Sequence, residues 1–400
     1  MVPTNSPSPS AQDDDPVTLR PGYSADTIRI EPVLGKPDVK AFLRLPWRVF
    51  RDDPHWVPPL LMERREHFSP AKNPYFQHAR VQAWLAYRNG EPLGRICAQV
   101  DELYQQHQDR HTGFFGMLDA VDDAAIFRAL TAQAESWLRT QGLKRIVGPF
   151  NLSINDECGL LVAGFDTPPQ VMMGHARPYY GRYLEDLGYR GCEDLYAYRL
   201  ATDFAVPPAM AALVRKSADS IRLRPLNRQH LSADLAILRD IFNDAWRNNF
   251  MFQPFTEAEF AKIGKELAQL LPADYVQIAE VNGEPAAMIV MLPNVNEAIR
   301  DLDGRLFPLG VVKLLWRLKV RHPASARVPL MGVRQRYQSS LLGTALAFLL
   351  IDRVRHAALQ RGVQSVELSW VLERNKPMRN IIENLGAEPY KRYRLYEKGL

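Results

Sequence analysis

The sequence predicts an α/β protein built from two copies of one unit, each a mixed, twisted sheet flanked by helices. Strands and helices alternate in both halves, which is typical of α/β sheets. Three landmarks also recur in the same order at nearly equal spacing: a hairpin, a helix ended by glycine, and an aromatic closing strand. A hairpin alone recurs often by chance, whereas the three together indicate a duplication.

The hairpin of each copy is built around the string Asn-Gly-Glu-Pro. The first is VQAWLAYRNGEPLGRICAQV, turning at Asn89-Gly90, and the second is YVQIAEVNGEPAAMIVML, turning at Asn282-Gly283. Asn and Gly both tolerate positive φ, which a two-residue type I′ turn requires at both positions. Each segment is therefore expected to be a strand, a tight turn and a second strand.

A long helix and a further strand are expected after each hairpin. They are residues 123–140 followed by KRIVGPF in the first copy, and LLGTALAFLLIDRVRHAALQRG followed by SVELSWV in the second. Gly188 and Gly386 then end a last helix, before DLYAYRL and YKRYRLYE respectively. These landmarks divide the chain into a tail (1–27), an N-terminal unit (28–204) and a C-terminal unit (205–400). The tail is rich in Pro, Ser and Asp, so we expect disorder there, and we expect a connector near residues 200–226.

The composition is ordinary for a globular protein, with 46% hydrophobic and 24% charged residues. The net charge of +5 is too slight to indicate nucleic acid, and it is compatible with an anionic ligand or an acidic membrane surface. Three widely spaced cysteines without a CxxC pair, and nine histidines without metal-binding spacing, predict a cytoplasmic protein without disulfides or metal. We see neither a signal peptide nor an apolar run of about eighteen residues that could span a membrane.

The clearest candidate binding site lies between the strand ARVPLMGV and the long helix of the second half. The strand ends at Val333, and the segment RQRYQSS (334–340) leads into the helix. A helix N-terminus offers unpaired N–H groups and partial positive charge, which suit a pyrophosphate, and Arg334 and Arg336 add charge. The alternative is an ordinary basic connection with a serine cap.

This region resembles the GNAT superfamily of acyl-CoA-dependent acyltransferases. Their signature is a Gln/Arg-x-x-Gly-x-Gly/Ala loop between the fourth strand and a long helix, then a fifth strand, an Asn and a helix ending in Leu-Gly. QSSLLG, Asn375 and Leu385-Gly386 follow that order. The resemblance implies two tandem GNAT-like units, with acyl-CoA as a co-substrate and no permanently bound cofactor. It implies coenzyme contacts from Val333, Arg334, Gln338, Ser339, Ser340, Leu341, Gly343 and Asn375.

The two copies differ at the coenzyme loop. In the first copy GFFGMLDA runs into Asp122-Asp123, and acidic residues at a helix N-terminus repel a phosphate. We therefore expect one coenzyme site, in the second half. There, Leu341 replaces one loop glycine, and Ile382 stands where the superfamily commonly has a tyrosine that acts as general acid.

The first copy instead has a long polar loop after its fifth strand, NLSINDECGLLVAGFDTPPQVMMGHARPYY. Long loops in compact domains tend to be functional, and ligands of open α/β sheets bind beyond the carboxyl ends of strands. A loop that caps its own turns is the alternative, and both interpretations stay open. Cys158 is not expected to be a nucleophile, because no partner histidine is identified. The candidate acceptor-binding residues are Asn151, Ser153, Asn155, His175 and Tyr179.

A further segment, RLFPLGVVKLLWRLKVRHP, mixes apolar residues with Lys and Arg between Pro308 and Val320. A basic amphipathic helix with a tryptophan, Trp316, fits a membrane interface or a lid over an acyl chain. The alternative is a helix that packs on its own sheet.

Transfer of an acyl group from a thioester to an amine requires a base for the ammonium proton and donors for the developing oxyanion. The candidate bases are Glu157 and Glu367, and the candidate acids are Tyr393 and Tyr396. A backbone donor is expected near residues 332–334. For Glu367 we favour the interpretation of a charged strand edge over that of a base.

Most of the chain resembles a set of bacterial tandem-GNAT proteins that includes the bacterial ceramide synthases. The stretches that carry the resemblance are DDPHWVPPL, GPFNLSINDECGLLVAGFDTPP and FNDAWRNNFMFQPFTEAEF. Ceramide synthases transfer a fatty acyl group from acyl-CoA to the amine of a sphingoid base. The resemblance implies a lipid amine acceptor and a place on the inner face of the cytoplasmic membrane. A small-molecule acetyltransferase and a non-catalytic acyl-CoA or membrane-binding protein are the alternatives.

Overall fold

The computed structural model describes residues 27–217 and 220–400, which form one continuous 13-stranded mixed sheet flanked by helices. The α/β fold class is confirmed. The expected disordered tail falls on residues 1–26, outside the described part of the chain, apart from Thr27.

The first half contributes seven strands and five helices to the described structure. The strands are β1 (Arg29–Pro32), β2 (Ala79–Arg88), β3 (Glu91–Asp101), β4 (Thr112–Ala120), β5 (Arg145–Gly148), β6 (Leu160–Ala163) and β7 (Arg190–Ala201). The helices are α1 (Lys36–Val49), α2 (Leu61–His67), α3 (Glu102–His107), α4 (Ala124–Thr140) and α5 (Tyr179–Asp186).

The second half repeats this plan. Its strands are β8 (Ile221–Pro225), β9 (Val276–Val281), β10 (Glu284–Pro293), β11 (Ser325–Val333), β12 (Ser365–Leu372) and β13 (Glu388–Gly399). Its helices are α6 (Pro208–Ser217), α7 (Leu231–Trp246), α8 (Glu257–Leu270), α9 (Val295–Ile299), α10 (Gly310–Trp316), α11 (Leu341–Leu359) and α12 (Lys376–Asn384). A π-helical turn (Arg317–Arg321) extends α10.

The turns on which the duplication was predicted have the expected backbone. In the first hairpin Asn89 and Gly90 have φ of 55° and 81°, and in the second Asn282 and Gly283 have φ of 52° and 82°. Both turns therefore have the two positive φ angles of a type I′ turn. The segment near residues 200–226, predicted as a connector, contains α6 and β8. The alternating sequence IRLRP is a strand pattern, and β8 pairs with β9.

The two halves exchange their closing strands. The strand order is β1-β2-β3-β4-β5-β13-β7-β12-β11-β10-β9-β8, and the thirteenth strand, β6, pairs with β13 beside this path. Thus β7, the last strand of the first half, pairs with β12, whereas β13, the last strand of the second half, pairs with β5. Each half of the sheet is completed by a strand from the other half. The division of the chain at residues 204 and 205 follows sequence order and stays a prediction.

In both halves the fourth and fifth strands are parallel and pair only at their first residues. The pairing of β4 with β5 ends at Phe114, and that of β11 with β12 ends at Val328. In the first half, the chain itself occupies the space between the unpaired ends of β4 and β5. A Cβ on Gly116 of β4 would lie 1.7 Å from the carbonyl oxygen of Phe150. Asn151 also accepts a hydrogen bond there from the Met117 N–H, at 2.7 Å. This arrangement leaves the first half no room for a coenzyme between these strands.

Candidate active site

In the second half the equivalent gap is a cavity of about 540 Å³. Its walls are the separated ends of β11 and β12, one face of α11, the first turns of α12 and the end of α7. Strand β7 of the first half closes one side. The lining residues from these elements include Leu200, Trp246, Met331, Gly332, Ser369, Trp370 and Met378. The two halves of the chain therefore build this cavity together.

The segment before α11 is folded tightly against the end of β11. Ser340 caps the helix, because its Oγ accepts from the Gly343 N–H at 3.0 Å and donates to the Tyr337 carbonyl at 2.6 Å. A Cβ on Gly343 would lie 2.1 Å from that carbonyl oxygen, so this position requires glycine. Gln338 donates to the carbonyl of Val333 at 2.8 Å.

Not all of the predicted coenzyme residues reach the cavity. Those that line it are Val333, Gln338, Ser339, Gly343 and Asn375. Arg334, Ser340 and Leu341 lie outside its walls. The Arg334 guanidinium donates to the Pro285 carbonyl at 2.7 Å and pairs with Asp240, and the side chain of Leu341 is 74% exposed. The Arg334 N–H donates to Ala286 at 2.9 Å, so it is not available as the expected oxyanion donor.

Two arginines that the sequence analysis missed line the same cavity. Arg355 lies on α11 with its guanidinium 4.9 Å from the ring centre of Phe204. Arg374 lies 4.7 Å from the ring centre of Phe250 and pairs with Glu193. The available signal for Arg355 was its spacing along α11, eleven residues after Thr344, because positions three turns apart share one helix face.

A second cavity, of about 100 Å³, lies next to the first. Its walls are mostly apolar side chains from α7, α8 and β9–β11. The polar exceptions are Asn155 and Asp156 from the long loop, and Arg327 from β11. Asn155 is thus the predicted acceptor-binding residue that the structure brings to a cavity, and burial raises the pKa of the adjacent Asp156 carboxyl.

A buried polar network connects the two cavities. Arg327 donates through Nε to Ser369 Oγ at 2.7 Å, and Ser369 donates to the Glu367 carboxylate. Tyr390 donates to the other carboxylate oxygen of Glu367. Glu367 is 2% exposed, so its interpretation as a charged edge is wrong. The physical reason is that β12 lies inside the sheet, between β11 and β7.

The polar loop of the first half is largely bonded to itself. Ser153 Oγ accepts from the Asn155 N–H at 2.9 Å, and Asn151 donates to Glu157 at 2.8 Å. Arg64 lies 3.0 Å from Glu157. Burial alone would raise the pKa of Glu157, but Arg64 and Asn151 outweigh it and hold the pKa below its usual value. Asn151, Ser153 and Glu157 thus support the loop and lie outside both cavity walls.

The two candidate tyrosine acids lie at different places on β13. The Tyr393 hydroxyl is buried without a hydrogen-bond partner, and burial, together with the nearby Glu367, raises its pKa well above 10. Tyr396 donates to Glu185 of α5 at 3.0 Å, in the first half.

The three remaining candidates lie outside the walls of both cavities. His175 donates through Nε2 to Asp53 at 2.9 Å, and burial lowers its pKa. Tyr179 donates to the Ala120 carbonyl at 2.8 Å, and Trp316 is 52% exposed on α10. Cys158 is buried, which raises the pKa of its thiol.

Residues 27–217 and 220–400 contain neither a metal site nor a membrane-spanning helix. No group of three or more His, Cys, Asp and Glu side chains in these ranges could hold a metal ion. None of their helices is both long and apolar enough to cross a bilayer.

The chain is similar to two curated proteins over nearly its whole length, although no protein-family model matches it. It is 50% identical to Protein YghO of Escherichia coli K12 over 366 residues, which are 91% of this chain and 94% of that protein. It is 46% identical to the bacterial ceramide synthase of Caulobacter vibrioides over 375 residues, 93% of this chain and 98% of that one. The chain belongs to the bacterial ceramide synthase family. The predicted N-acyltransferase class is thereby confirmed.

Solved structures show that this family member has the tandem GNAT fold. A tandem GNAT protein from the clavulanic acid biosynthesis pathway superposes with a TM-score of 0.55 at 14% identity, covering 93% of this chain and 98% of that one. The GCN5-related glucosamine N-acetyltransferase region of a fungal multi-domain β-N-acetylglucosaminidase gives 0.57 at 14% identity, over 94% of this chain and 38% of that one.

Proposed function

We propose that this protein transfers a long-chain acyl group from acyl-CoA to the primary amine of a sphingoid long-chain base. The observation that carries the proposal is the 46% identity, over 93% of the chain, with a protein named bacterial ceramide synthase. Acyl-CoA serves as a co-substrate, and no permanently bound cofactor takes part.

The open gap between β11 and β12 supports a coenzyme site there. In our proposal the pyrophosphate lies at the N-terminus of α11, near Gln338 and Ser339, because the first N–H groups of a helix attract anions. Arg355 and Arg374, which are paired with Asp352 and Glu193, offer further N–H donors along the cavity wall. The pantetheine arm then runs into the gap and brings the thioester towards Ser369.

The reaction is aminolysis of the thioester. The amine nitrogen attacks the thioester carbon, the C–N bond forms, the C–S bond breaks, and coenzyme A leaves as a thiolate.

We propose Glu367 as the base that receives the ammonium proton through Ser369, which lines the cavity and donates to Glu367. The thiolate needs no acid to leave, because thiols ionise readily at about pH 8.5, and Tyr393, buried outside the walls of both cavities, is not required at this step. Glu157, engaged with Arg64 and Asn151, is proposed to hold the loop that shapes the acceptor site.

We further propose that the protein works on the inner surface of the cytoplasmic membrane, where both lipid substrates partition. Exposed large apolar side chains concentrate on the segment 307–321, and Lys313, Lys319 and Arg321 are exposed beside them. An apolar face with cations around it suits a bilayer that contains anionic lipid. The apolar residues are Phe307, Leu309, Val312, Leu315, Trp316 and Val320.

The activity is tested with purified protein, a sphingoid base and either palmitoyl-CoA or acetyl-CoA. Thiol release measures turnover and mass spectrometry identifies the N-acylated product. We expect a long-chain amide from palmitoyl-CoA. A preference for acetyl-CoA with a small amine would favour a small-molecule acetyltransferase, and binding without thiol release would favour a non-catalytic protein.

Active-site variants test the role given to Glu367. Glu367→Gln removes the base and should lower kcat by about a hundredfold or more, with little change in KM for acyl-CoA. Gln338→Ala should instead raise KM for acyl-CoA. Glu388→Gln, at an exposed position of β13, is the matched control. Wild-type turnover by Glu367→Gln would remove Glu367 from the mechanism.

A further inference from the structure

The two cavities open on opposite faces of the sheet. Successive residues of a strand point to opposite faces, and the larger cavity is lined by Ile289 and Met291 of β10, whereas the smaller is lined by Val290 and Leu292. The larger cavity thus lies on the face covered by α11, and the smaller on the face covered by α7 and α8.

The cavities meet where β11 and β12 separate. Trp246, Pro329 and Trp370 line both of them. The two indole rings lie 6.0 Å apart, centre to centre, with an angle of 62° between their planes. A ligand that enters the gap from the α11 side can therefore continue past these rings to the α7–α8 side of the sheet.

The smaller cavity has three polar residues in its walls and is otherwise lined mostly by apolar side chains. Asn155, Asp156 and Arg327 are its polar residues, and Arg327 is hydrogen-bonded to Ser369, which precedes Trp370, whereas α8 contributes Ile263, Leu267 and Ala268. Protein interiors are normally close-packed, and an apolar void lowers stability unless something fills it. Apolar cavities stay dry and accept apolar ligands. The apolar side chains of α8 therefore fit an unsubstituted alkyl chain better than an amine or a hydroxyl.

We propose that this smaller cavity, the chain-end chamber, receives the far end of the acyl chain and sets the acyl length that the enzyme uses. The proposal rests on the proposed function, which puts acyl-CoA in the gap. The acyl chain is bonded to the thioester at the end of the pantetheine arm, so it continues in the direction in which the arm enters. The chamber lies in that direction, through the sheet.

The test substitutes side chains of α8 that line the chamber, and so changes how deep the chamber is. Ala268→Phe fills it and should shift the preferred acyl-CoA to shorter chains, with kcat/KM for the longest chains falling about tenfold and that for short chains kept. Leu267→Ala deepens it and should favour longer chains. Ala258→Phe, exposed on the same helix, adds the same bulk outside the chamber and should leave the profile unchanged.

Each variant is assayed with a series from acetyl-CoA to stearoyl-CoA at one sphingoid base, and with bases of different tail length at one acyl-CoA. The expected change appears in the acyl series only.

A shift in the acceptor series instead would put the sphingoid tail in the chamber, and an unchanged profile for both α8 variants would leave the chamber without a role. Either result overturns the proposal. If wild-type protein transfers no acyl group at all, the proposed function fails, which is a separate outcome. Leu267→Ala keeps the test valid if the larger side chain of Ala268→Phe prevents folding.

Discussion

At the scale of single residues, His78 connects the two halves of the molecule. Its Nδ1 lies 3.2 Å from Asp101 at the end of β3, and its Nε2 lies 3.2 Å from Glu259 on α8. Burial alone would lower the pKa of His78, but the hydrogen bonds to the two carboxylates outweigh burial and raise the pKa to about 10. The imidazolium therefore forms a buried ion triad between the first and second halves.

Because the folded pKa of His78 is above the unfolded value of about 6.5, its contribution to stability is fully present below pH 6.5 and is lost as the pH rises through about 10. We expect His78→Gln to lower the free energy of unfolding by about 3 kcal/mol near pH 6, and by much less near pH 10. Urea unfolding at both pH values measures this difference. His107→Gln, at an exposed position, is the control, and an equal loss at both pH values would contradict the triad.

The residues that could be predicted at the site were those fixed by local sequence. Gln338 and Gly343 could be found because the coenzyme loop is a continuous motif between a strand and a helix. Glu367 was misjudged, because its burial depends on β7 pairing with β12, a contact across more than one hundred and fifty residues. Arg374 was missed for a related reason: its cavity exists only where strands from both halves meet.

At the scale of elements, the segment 307–321 packs by one face and exposes the other. Leu314 and Leu318 are buried against Ala298, Ile299 and Leu302. The sequence pattern predicted a basic amphipathic helix, and α10 with its π-helical turn has that character. The sequence could not predict which apolar side chains stay exposed, because their exposure depends on tertiary packing. The short helix α9 covers only the face of the segment that carries Leu314 and Leu318.

Vesicle co-sedimentation tests the membrane role of this segment. The double substitution Val312→Ser and Trp316→Ser removes two exposed apolar side chains, so it should weaken binding to vesicles with anionic lipid by at least about tenfold. Binding by the wild type should also fall with added salt, since exposed cations contribute. The matched control replaces Leu34 and Met62, which are exposed elsewhere, with serine. Equal binding by both double variants would exclude the segment as the membrane contact.

At the scale of the whole molecule, the exchange of closing strands makes the two halves depend on each other. Sequence comparison of the halves could detect the repeat, but strand partners that are distant in sequence leave no local pattern. Strand β13 brings the buried residues Tyr393 and Leu395 into the first half, and β7 brings Leu200 to the wall of the larger cavity. The coenzyme site predicted for the second half therefore requires a strand from the first.

Expression of the halves as fragments tests this dependence. Residues 28–204 alone lack β13, which leaves β5 unpaired on one side and apolar positions uncovered, so we expect aggregation. Residues 205–400 alone lack β7, so they should not bind acyl-CoA even where some structure forms. Co-expression should restore a soluble complex that binds acyl-CoA, because each fragment supplies the strand that the other lacks. Size-exclusion chromatography and calorimetry measure the two properties. A second fragment that alone binds acyl-CoA as tightly as the full chain would show that the exchanged strand is dispensable for the site.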